Sequence, residues 1–418
     1  MRKALCVWWD DRITGRLTQN EHGDIGFVYD NAWIADPATR AISQSLPKRP
    51  EPFKRREARP FFAGLLPDEE MRKGAARALG VSEKNDFALL DRLGGDVAGA
   101  LTLWPEGETP PVYDGTFTTE PLGDKAFAEL LDQLPERPLL AGQKEGVRLS
   151  LAGAQAKLPV VLVDGHVALP APGQPTTHIV KPPIRRRPFT TENETFTMRL
   201  AAACGLDVAE VQPRKIKGRP YLLVKRYDRM ADAQGRIQRV HQEDFCQALG
   251  IAPELKYAVE GGPTFKRSFA LLRIAATRPA VEVLKLLDAA LFNLVVGNAD
   301  AHGKNFSLLY QSATTSLMPL YDLMCTAAIP GISTTLAMKI GEAAELKDVT
   351  ARTWEKFAQA IELSAPFLRR RAKEIAELAA AHAQETAQAI VANGFDRTAL
   401  EGFTAIVDSR VSAIVRTL

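Results

Sequence analysis

The segment Asn298-Ala299-Asp300-Ala301-His302-Gly303-Lys304-Asn305-Phe306 carries an Asp and an Asn five positions apart, and Pro319-Leu320-Tyr321-Asp322 adds a second Asp. In one group of phosphoryl-transfer sites an Asp at the first position orients the acceptor hydroxyl and accepts its proton, and the Asn five residues on holds Mg²⁺. A later Asp, following a short apolar run, takes the other metal-binding place. Asp300, Asn305 and Asp322 therefore predict chemistry on Mg·ATP. Such chemistry also needs a cation and a phosphate-binding turn elsewhere in the chain.

Lys181 closes the predicted strand His178-Ile179-Val180-Lys181, where protein kinases keep their phosphate-neutralising Lys. Glu194, early in the helix that follows, is a candidate ion-pair partner for it. Glu194 reads equally well as an acidic first-turn residue matching the helix dipole. Ser150-Leu151-Ala152-Gly153-Ala154-Gln155-Ala156-Lys157 has small residues that let backbone N–H groups approach phosphate oxygens, although it is not a GxxxxGK[ST] loop and also reads as an ordinary tight turn. Leu222 to Asp228 runs from a strand into the next block like an interlobe hinge. There Lys225 and Tyr227 could meet adenine, or simply end a strand on a buried aromatic. His302 has no second His at ligand spacing, and the six histidines are scattered, which argues against a His-based metal site. No GxSxG is present.

The chain has 418 residues, 46% of them hydrophobic, and a formal net charge of +3. That length implies two or three domains, and that charge is too small to indicate a nucleic-acid binder. Basic runs at Lys54-Arg55-Arg56, Arg185-Arg186-Arg187 and Arg369-Arg370-Arg371 read as solvated faces. The four cysteines form no CxxC pair, which fits a reducing compartment. The N-terminus meets charge too early for a signal peptide. No apolar run approaches the roughly 20 residues needed to span a bilayer. A soluble, cytoplasmic protein without membrane contact is expected.

Three blocks are expected. Residues 1–110 alternate short strands with helices at Pro67 to Leu79 and Glu83 to Leu93, the second capped by Ser82, and are interrupted by a Pro- and Arg-rich connector from Lys48 to Pro60. A linker over 105–120 leads to the block 145–228, which reads as a kinase N-lobe. There Asp164-Gly165 and Lys217-Gly218 mark hairpins and Thr191 to Cys204 a helix. Residues 229–418 read as almost wholly helical, with candidates at Gln242 to Leu249, Thr264 to Ala276, Ala280 to Val296, Ala351 to Leu363 and Pro366 to Asn393. The fold class is α+β: a two-lobed kinase-like fold with an extra N-terminal α/β subdomain and an all-helical C-lobe.

Taken in order, the motifs resemble the HipA family of serine/threonine kinase toxins from type II toxin–antitoxin modules. Phe61-Phe62-Ala63-Gly64-Leu65-Leu66-Pro67 and Gly94 to Ala100 resemble its N-terminal signatures. Ser150 to Gln155 is similar to its phosphate loop, His178 to Lys181 to its ATP-contacting strand, and Val224 to Arg229 to its hinge. His241 to Gly250 resembles the start of its C-lobe, and Asp300 to Ser307 with Tyr321-Asp322 resemble its catalytic and metal motifs. The resemblance implies a phosphatidylinositol-kinase-like architecture. It implies Asp300 as base, Asn305 and Asp322 on Mg²⁺, and Lys181, Ala152, Gly153, Ala154 and Gln155 on ATP with help from His302. It further implies autophosphorylation at Ser150, an aminoacyl-tRNA synthetase as protein substrate, arrest of translation and growth, and silencing by a HipB-like helix-turn-helix antitoxin through which alone DNA is met. Two positions depart from the family. Ala301-His302-Gly303 reverses the commoner Gly-His-Ala, which two small residues should tolerate, and Lys225 stands where Glu is frequent. A small-molecule kinase on the same scaffold and a non-enzymatic DNA-bound corepressor are the rival readings.

Overall fold

The structure, a computed structural model, describes residues 3–113, 119–141 and 148–418. Part of the expected 105–120 linker and the expected start of the second block at Val147 lie outside the described residues. In chain order the elements are β1 Lys3–Trp9, β2 Arg12–Gln19, β3 Ile25–Tyr29, α1 Asn31–Ala35, α2 Arg55–Gly64, α3 Glu69–Leu79, α4 Asp86–Leu93, β4 Leu101–Pro105, α5 Asp124–Gln133, β5 Leu158–Val163, β6 His166–Ala168 and β7 His178–Lys181. They continue with α6 Thr190–Ala203, β8 Val211–Ile216, β9 Arg219–Lys225, β10 Arg229–Ala231, β11 Ile237–Arg239, β12 His241–Asp244, α7 Phe245–Ala248, α8 Phe265–Ala275 and α9 Pro279–Val295. The last are β13 Ser307–Gln311, β14 Thr314–Leu317, β15 Thr335–Ile340, β16 Ala343–Glu345, α10 Ala351–Ala360, α11 Ala365–Ala392 and α12 Arg397–Val415. They form two compact units. The first takes Met1–Pro182, Arg214–Glu254 and Leu309–Gln311, and the second Pro183–Pro213, Leu255–Leu308 and Ser312–Leu418.

In the first unit β1 to β4 make an antiparallel sheet of order β3-β2-β1-β4. Its alternating apolar face, with Leu5, Val7, Leu17 and Phe27, packs on Phe61 and Phe62 of α2 and on Leu89 and Leu90 of α4. A second sheet of order β6-β5-β7-β9-β8 buries Leu158, Val160, Val180 and Leu223 against Phe127 and Leu131 of α5. Helix α2 lies where a connector was expected. Its Pro60 forfeits one backbone hydrogen bond, yet Ala58, Pro60, Phe61 and Phe62 are buried and hold the helix against the sheet. The cap of α4 is Asn85, whose Oδ1 accepts from Ala88 N at 3.0 Å, and not Ser82, which accepts from Lys84 N in the preceding turn.

Two sequence motifs of this unit are bound to each other. Asp96, from the Gly94-to-Ala100 signature, and Asp228, from the hinge, share two buried guanidinium groups. Arg226 lies 3.3 Å from Asp96 and 2.8 Å from Asp228, and Arg229 lies 2.9 and 3.0 Å from the same carboxylates. Thr176 Oγ1 donates to Asp96 at 2.6 Å, Gly99 N to Asp228 at 2.8 Å, and Arg226 also donates to Val97 O. Gly99, at φ +89, has no room for a side chain, because a Cβ would sit 2.9 Å from Gln242 N. Burial alone would raise both carboxyl pKa values, but the facing arginines outweigh it and hold Asp96 and Asp228 well below the ordinary range.

In the second unit α6 is buried on nearly all faces and packs on α11 and α12, with Phe196 and Phe403 ring centroids 5.9 Å apart. Those contacts count α6 with the second unit, so the expected 145–228 block is divided at Pro182. Helices α8, α9, α10 and α11 occur where the periodicity predicts them, and Arg371 of α11 grips Asp288 of α9 at 2.6 and 2.9 Å. The region after residue 228 is not all-helical. It carries β10 to β16, and β12 occupies the start of an expected helix. These strands are three to six residues long, too short for a period-2 pattern to stand out. Among the described residues no helix is long and apolar enough to cross a membrane, and all four cysteines are buried and unbridged.

Arg226→Met should destabilise the protein by about 3–5 kcal/mol, because it leaves two buried carboxylates sharing one close guanidinium fewer. Urea unfolding at neutral pH measures this.

A third buried carboxyl titrates the other way. Glu243 accepts from Ser43 Oγ, Gln44 N and Tyr310 Oη, and burial pushes its pKa from 4.5 up to about 7. A raised carboxyl pKa means that the folded protein binds the extra proton. The stability it contributes is full below about 4.5 and is lost as pH rises through about 7. Glu243→Gln should therefore gain on the parent by up to about 1.4 kcal/mol per pH unit across that window, read from denaturation midpoints of both proteins at each pH.

Candidate functional site

The residues of the second unit build a rigid loop after α9. Gly297, at φ +70, ends the helix, and Asn298 is tied back to it by Nδ2 donating to Asn293 Oδ1 at 2.7 Å. Asn298 Oδ1 in turn accepts from Asp300 N at 3.1 Å, and Ala299 N donates to Thr326 Oγ1 at 2.8 Å. Asp300 thus stands exposed on a backbone fixed on both sides. His302 N donates to Asp300 O at 2.8 Å and to Asn305 Oδ1 at 3.1 Å, which closes the loop onto a single 3₁₀ turn, Gly303–Asn305.

Gly303 is packed against Pro263, where a Cβ would come within 2.3 Å of the ring. Its N–H donates to Lys256 O at 3.3 Å. The two small residues around His302 are therefore not equivalent in this chain, since position 303 has no room for Ala. His302 itself is buried, and its Nδ1 has no partner among the described residues. Burial, aided by the nearby Lys256 ammonium, pushes its pKa down to about 3. At neutral pH it is uncharged, so it can offer a phosphate a hydrogen bond and no full charge. Lys256 and Lys304 are buried in the same region.

Asn305 and Asp322 are brought together, with Asn305 Nδ2 3.3 Å from Asp322 Oδ2. Asp322 sits at φ +58, a conformation uncommon for a residue with a side chain and frequent where function imposes it. The preceding Leu320 pairs with Val208 in a parallel bridge. The following Cys325 is clamped by Asn193 of α6, whose Oδ1 accepts from Cys325 N at 2.7 Å and whose Nδ2 donates to Cys325 O at 3.0 Å. The amide nitrogen of Asn305 faces the carboxylate, and its Oδ1, which accepts from His302 N, keeps a second lone pair; with the Asp322 carboxylate it fits Mg²⁺, which takes hard oxygen ligands, one or two protein carboxylates and substrate phosphates. No cluster of three or more His, Cys, Asp or Glu that could hold a metal ion occurs among the described residues.

In the first unit, Lys181 is a buried residue on β7, a central strand paired with β5 and β9. The turn from Ala152 to Gln155 is shaped by Lys157, whose Nζ donates to Ala152 O at 2.8 Å, and Gln155 Nε2 donates to Pro182 O at 3.1 Å. Gly153 sits at φ +109, a backbone conformation that residues with a side chain rarely adopt. Ser150 is fully buried, with Oγ donating to Leu65 O at 2.7 Å and N to Asp96 O at 2.9 Å. Lys225 is exposed at the end of β9, and the half-buried Tyr227 donates its hydroxyl to Gln242 Oε1. Glu194 is buried one turn into α6, and the first-turn acid there is Glu192, so dipole matching does not account for Glu194.

Sequence reasoning passed over Lys157, Asn193 and Tyr257. Lys157 stands in the quoted phosphate-loop motif itself and was readable as its cation. Asn193, adjacent to Glu194, acts across a long sequence separation and leaves no local pattern. Tyr257 donates its hydroxyl to Asp300 Oδ1 at 3.0 Å from a loop with no motif of its own.

Residues 149–391 match the family model described as HipA-like C-terminal domain, and residues 5–104 match that described as HipA N-terminal domain. A putative kinase, Y4mE, of Sinorhizobium fredii is 61% identical over 373 residues, covering 88% of each chain. The serine/threonine-protein kinase toxin HipA of Shewanella oneidensis is 32% identical over 294 residues, 68% of this chain and 66% of that one. The solved Shewanella oneidensis MR-1 toxin–antitoxin complex of HipA, HipB and operator DNA superposes with a TM-score of 0.84 at 26% identity, over 99% of this chain and 97% of the other.

Gly303→Ala should force the Asp300–Asn305 turn away from Pro263. The expected cost is about 1–3 kcal/mol of stability and roughly 10²-fold in phosphotransfer rate from misplacement of the loop. A thermal melt beside an ADP-release assay checks both, and an unchanged rate would mean that the loop absorbs the methyl group.

Proposed function

This chain belongs to the HipA family of kinase toxins, and we propose that it transfers the γ-phosphoryl group of Mg·ATP to a Ser or Thr hydroxyl of a protein substrate. The observation that carries the reading is the approach of Asn305 to Asp322 at 3.3 Å beside a braced loop bearing Asp300. Asp300 accepts the proton of the acceptor hydroxyl as its oxygen bonds to the γ-phosphorus. The bond from that phosphorus to the β,γ-bridging oxygen breaks, and ADP leaves with the electron pair. Asn305 Oδ1 and the Asp322 carboxylate would hold Mg²⁺, which supplies charge neutralisation at the phosphates. In the first unit Lys181, Lys157 and the backbone from Ala152 to Gln155 hold ATP phosphates. Lys225 and Tyr227 border the base. Positioning and charge compensation are most of what this reaction requires of a protein.

Regulation follows from Ser150. Its hydroxyl is buried against Leu65 O, so it has to leave that seat before it can accept a phosphate. A phosphate adds about −1.5 to −2 charge at neutral pH and cannot return to a dry carbonyl site. Autophosphorylation therefore holds the loop away from ATP and silences the enzyme. The likeness to a HipA bound with HipB and operator DNA supports a helix-turn-helix antitoxin as partner, with DNA met through that complex. An aminoacyl-tRNA synthetase in the cytoplasm, with arrest of translation and growth, is the target reading that the family resemblance supports.

Asp300→Ala and Asp322→Ala should each lower phosphotransfer by about 10²-fold or more and relieve growth inhibition. Phosphoproteomics after brief induction of parent and variant identifies the substrate. Folded Asp300→Ala protein that still phosphorylates at the parent rate would remove Asp300 from the site.

A further inference from the structure

The loop that leads from α7 to α8 is built to aim one side chain. Tyr257 O accepts from both Glu260 N and Gly262 N at 3.0 Å, so the chain doubles back on itself. Gly261, at φ +93, allows the reversal, and at Gly262 a Cβ would come within 2.2 Å of Leu255 O. The doubled loop is fastened to the catalytic turn through Lys256 O and through Pro263 against Gly303. The Tyr257 ring stands edge-on to His302 with centroids 5.4 Å apart, and the Lys256 ammonium lies 5.3 Å from its centroid. From that seat its hydroxyl reaches Asp300 Oδ1 at 3.0 Å.

We propose that Tyr257 is a positioning residue for phosphoryl transfer, fixing the rotation of the Asp300 carboxylate so that it meets the acceptor hydroxyl without reorganising. The inference rests on Asp300 being the proton acceptor. An exposed Asp turns about two side-chain torsions, and an acceptor group is effective only near one orientation. The backbone of Asp300 is held by Asn298 and His302, but neither bond controls its side chain. The phenol does, and its own freedom is already spent on the doubled loop and the His302 ring. Tyr257 touches neither ATP nor acceptor in this role and acts only through Asp300.

The test is a double-mutant cycle on the full-length protein, with ADP release from Mg·ATP as the readout. Tyr257→Phe keeps the ring and removes the hydroxyl. It should lower kcat by roughly tenfold, the worth of a hydrogen bond to a charged group, and leave KM for Mg·ATP within about twofold. In the Asp300→Ala background the same substitution should cost nothing, because a residue acting only through Asp300 has nothing left to position. A structural role would give equal losses in both backgrounds, or a KM change with kcat intact, and either result overturns the proposal. Turnover equal to or faster than the parent also overturns it, since the phenol would then be idle or would compete with the acceptor. Near-ultraviolet circular dichroism confirms that each variant is folded. If Asp300→Ala turns over like the parent, the phosphotransfer assignment fails with it, which separates that failure from failure of the Tyr257 role alone.

Discussion

Four charges with almost no access to water hold the first unit in register. Asp96 and Asp228 face Arg226 and Arg229, and every one of these side chains is at most 5% exposed. Taking such groups out of water costs several kcal/mol each, so the cluster is weak as a source of net stability. Its effect is selectivity. A shift of either segment strands a bare charge, and the second buried arginine has little slack, since burial and the proximity of Arg226 push the Arg229 pKa down to about 10. The Gly94-to-Ala100 turn and the hinge before β10 are thereby locked to each other. Ser150 depends on the same lock, because its N–H is held by the carbonyl of Asp96.

In the second unit the same economy is reached without charge. Asn298, Asn193 and Thr326 are buried amides and hydroxyls that bond backbone groups on either side of Asp300 and Asp322. Hydrogen-bonded amides fix a loop with little of the desolvation penalty of ions.

Much of this was legible in the residues, and the reasons for the rest are physical. Long amphipathic helices such as α9 and α11 announce themselves by period, and hairpins at Asp164-Gly165 and Lys217-Gly218 by turn chemistry. Helix α2 was hidden because Pro60 reads as a breaker, and only the burial of Phe61 and Phe62 shows what overrides it. The short strands β10 to β16 were hidden by length. Asp300, Asn305 and Asp322 stood out through spacing alone. The supports Asn193 and Tyr257 did not, because what makes them matter is a neighbour distant in sequence. Gly303 was read as one of two interchangeable small residues, and the Pro263 ring beside it removes that freedom.

The buried seat of Ser150 changes what a substitution there can report. Alanine would remove the proposed phosphate acceptor and also cut the hydroxyl's bond to Leu65 O at a fully buried position. Aspartate, the usual imitation of a phosphate, cannot occupy the seat and would drive the loop out by size and charge alone. Neither replacement is silent with respect to loop position. The two conventional controls for a modification site therefore bracket a conformational equilibrium at this position, where elsewhere they would isolate a covalent mark.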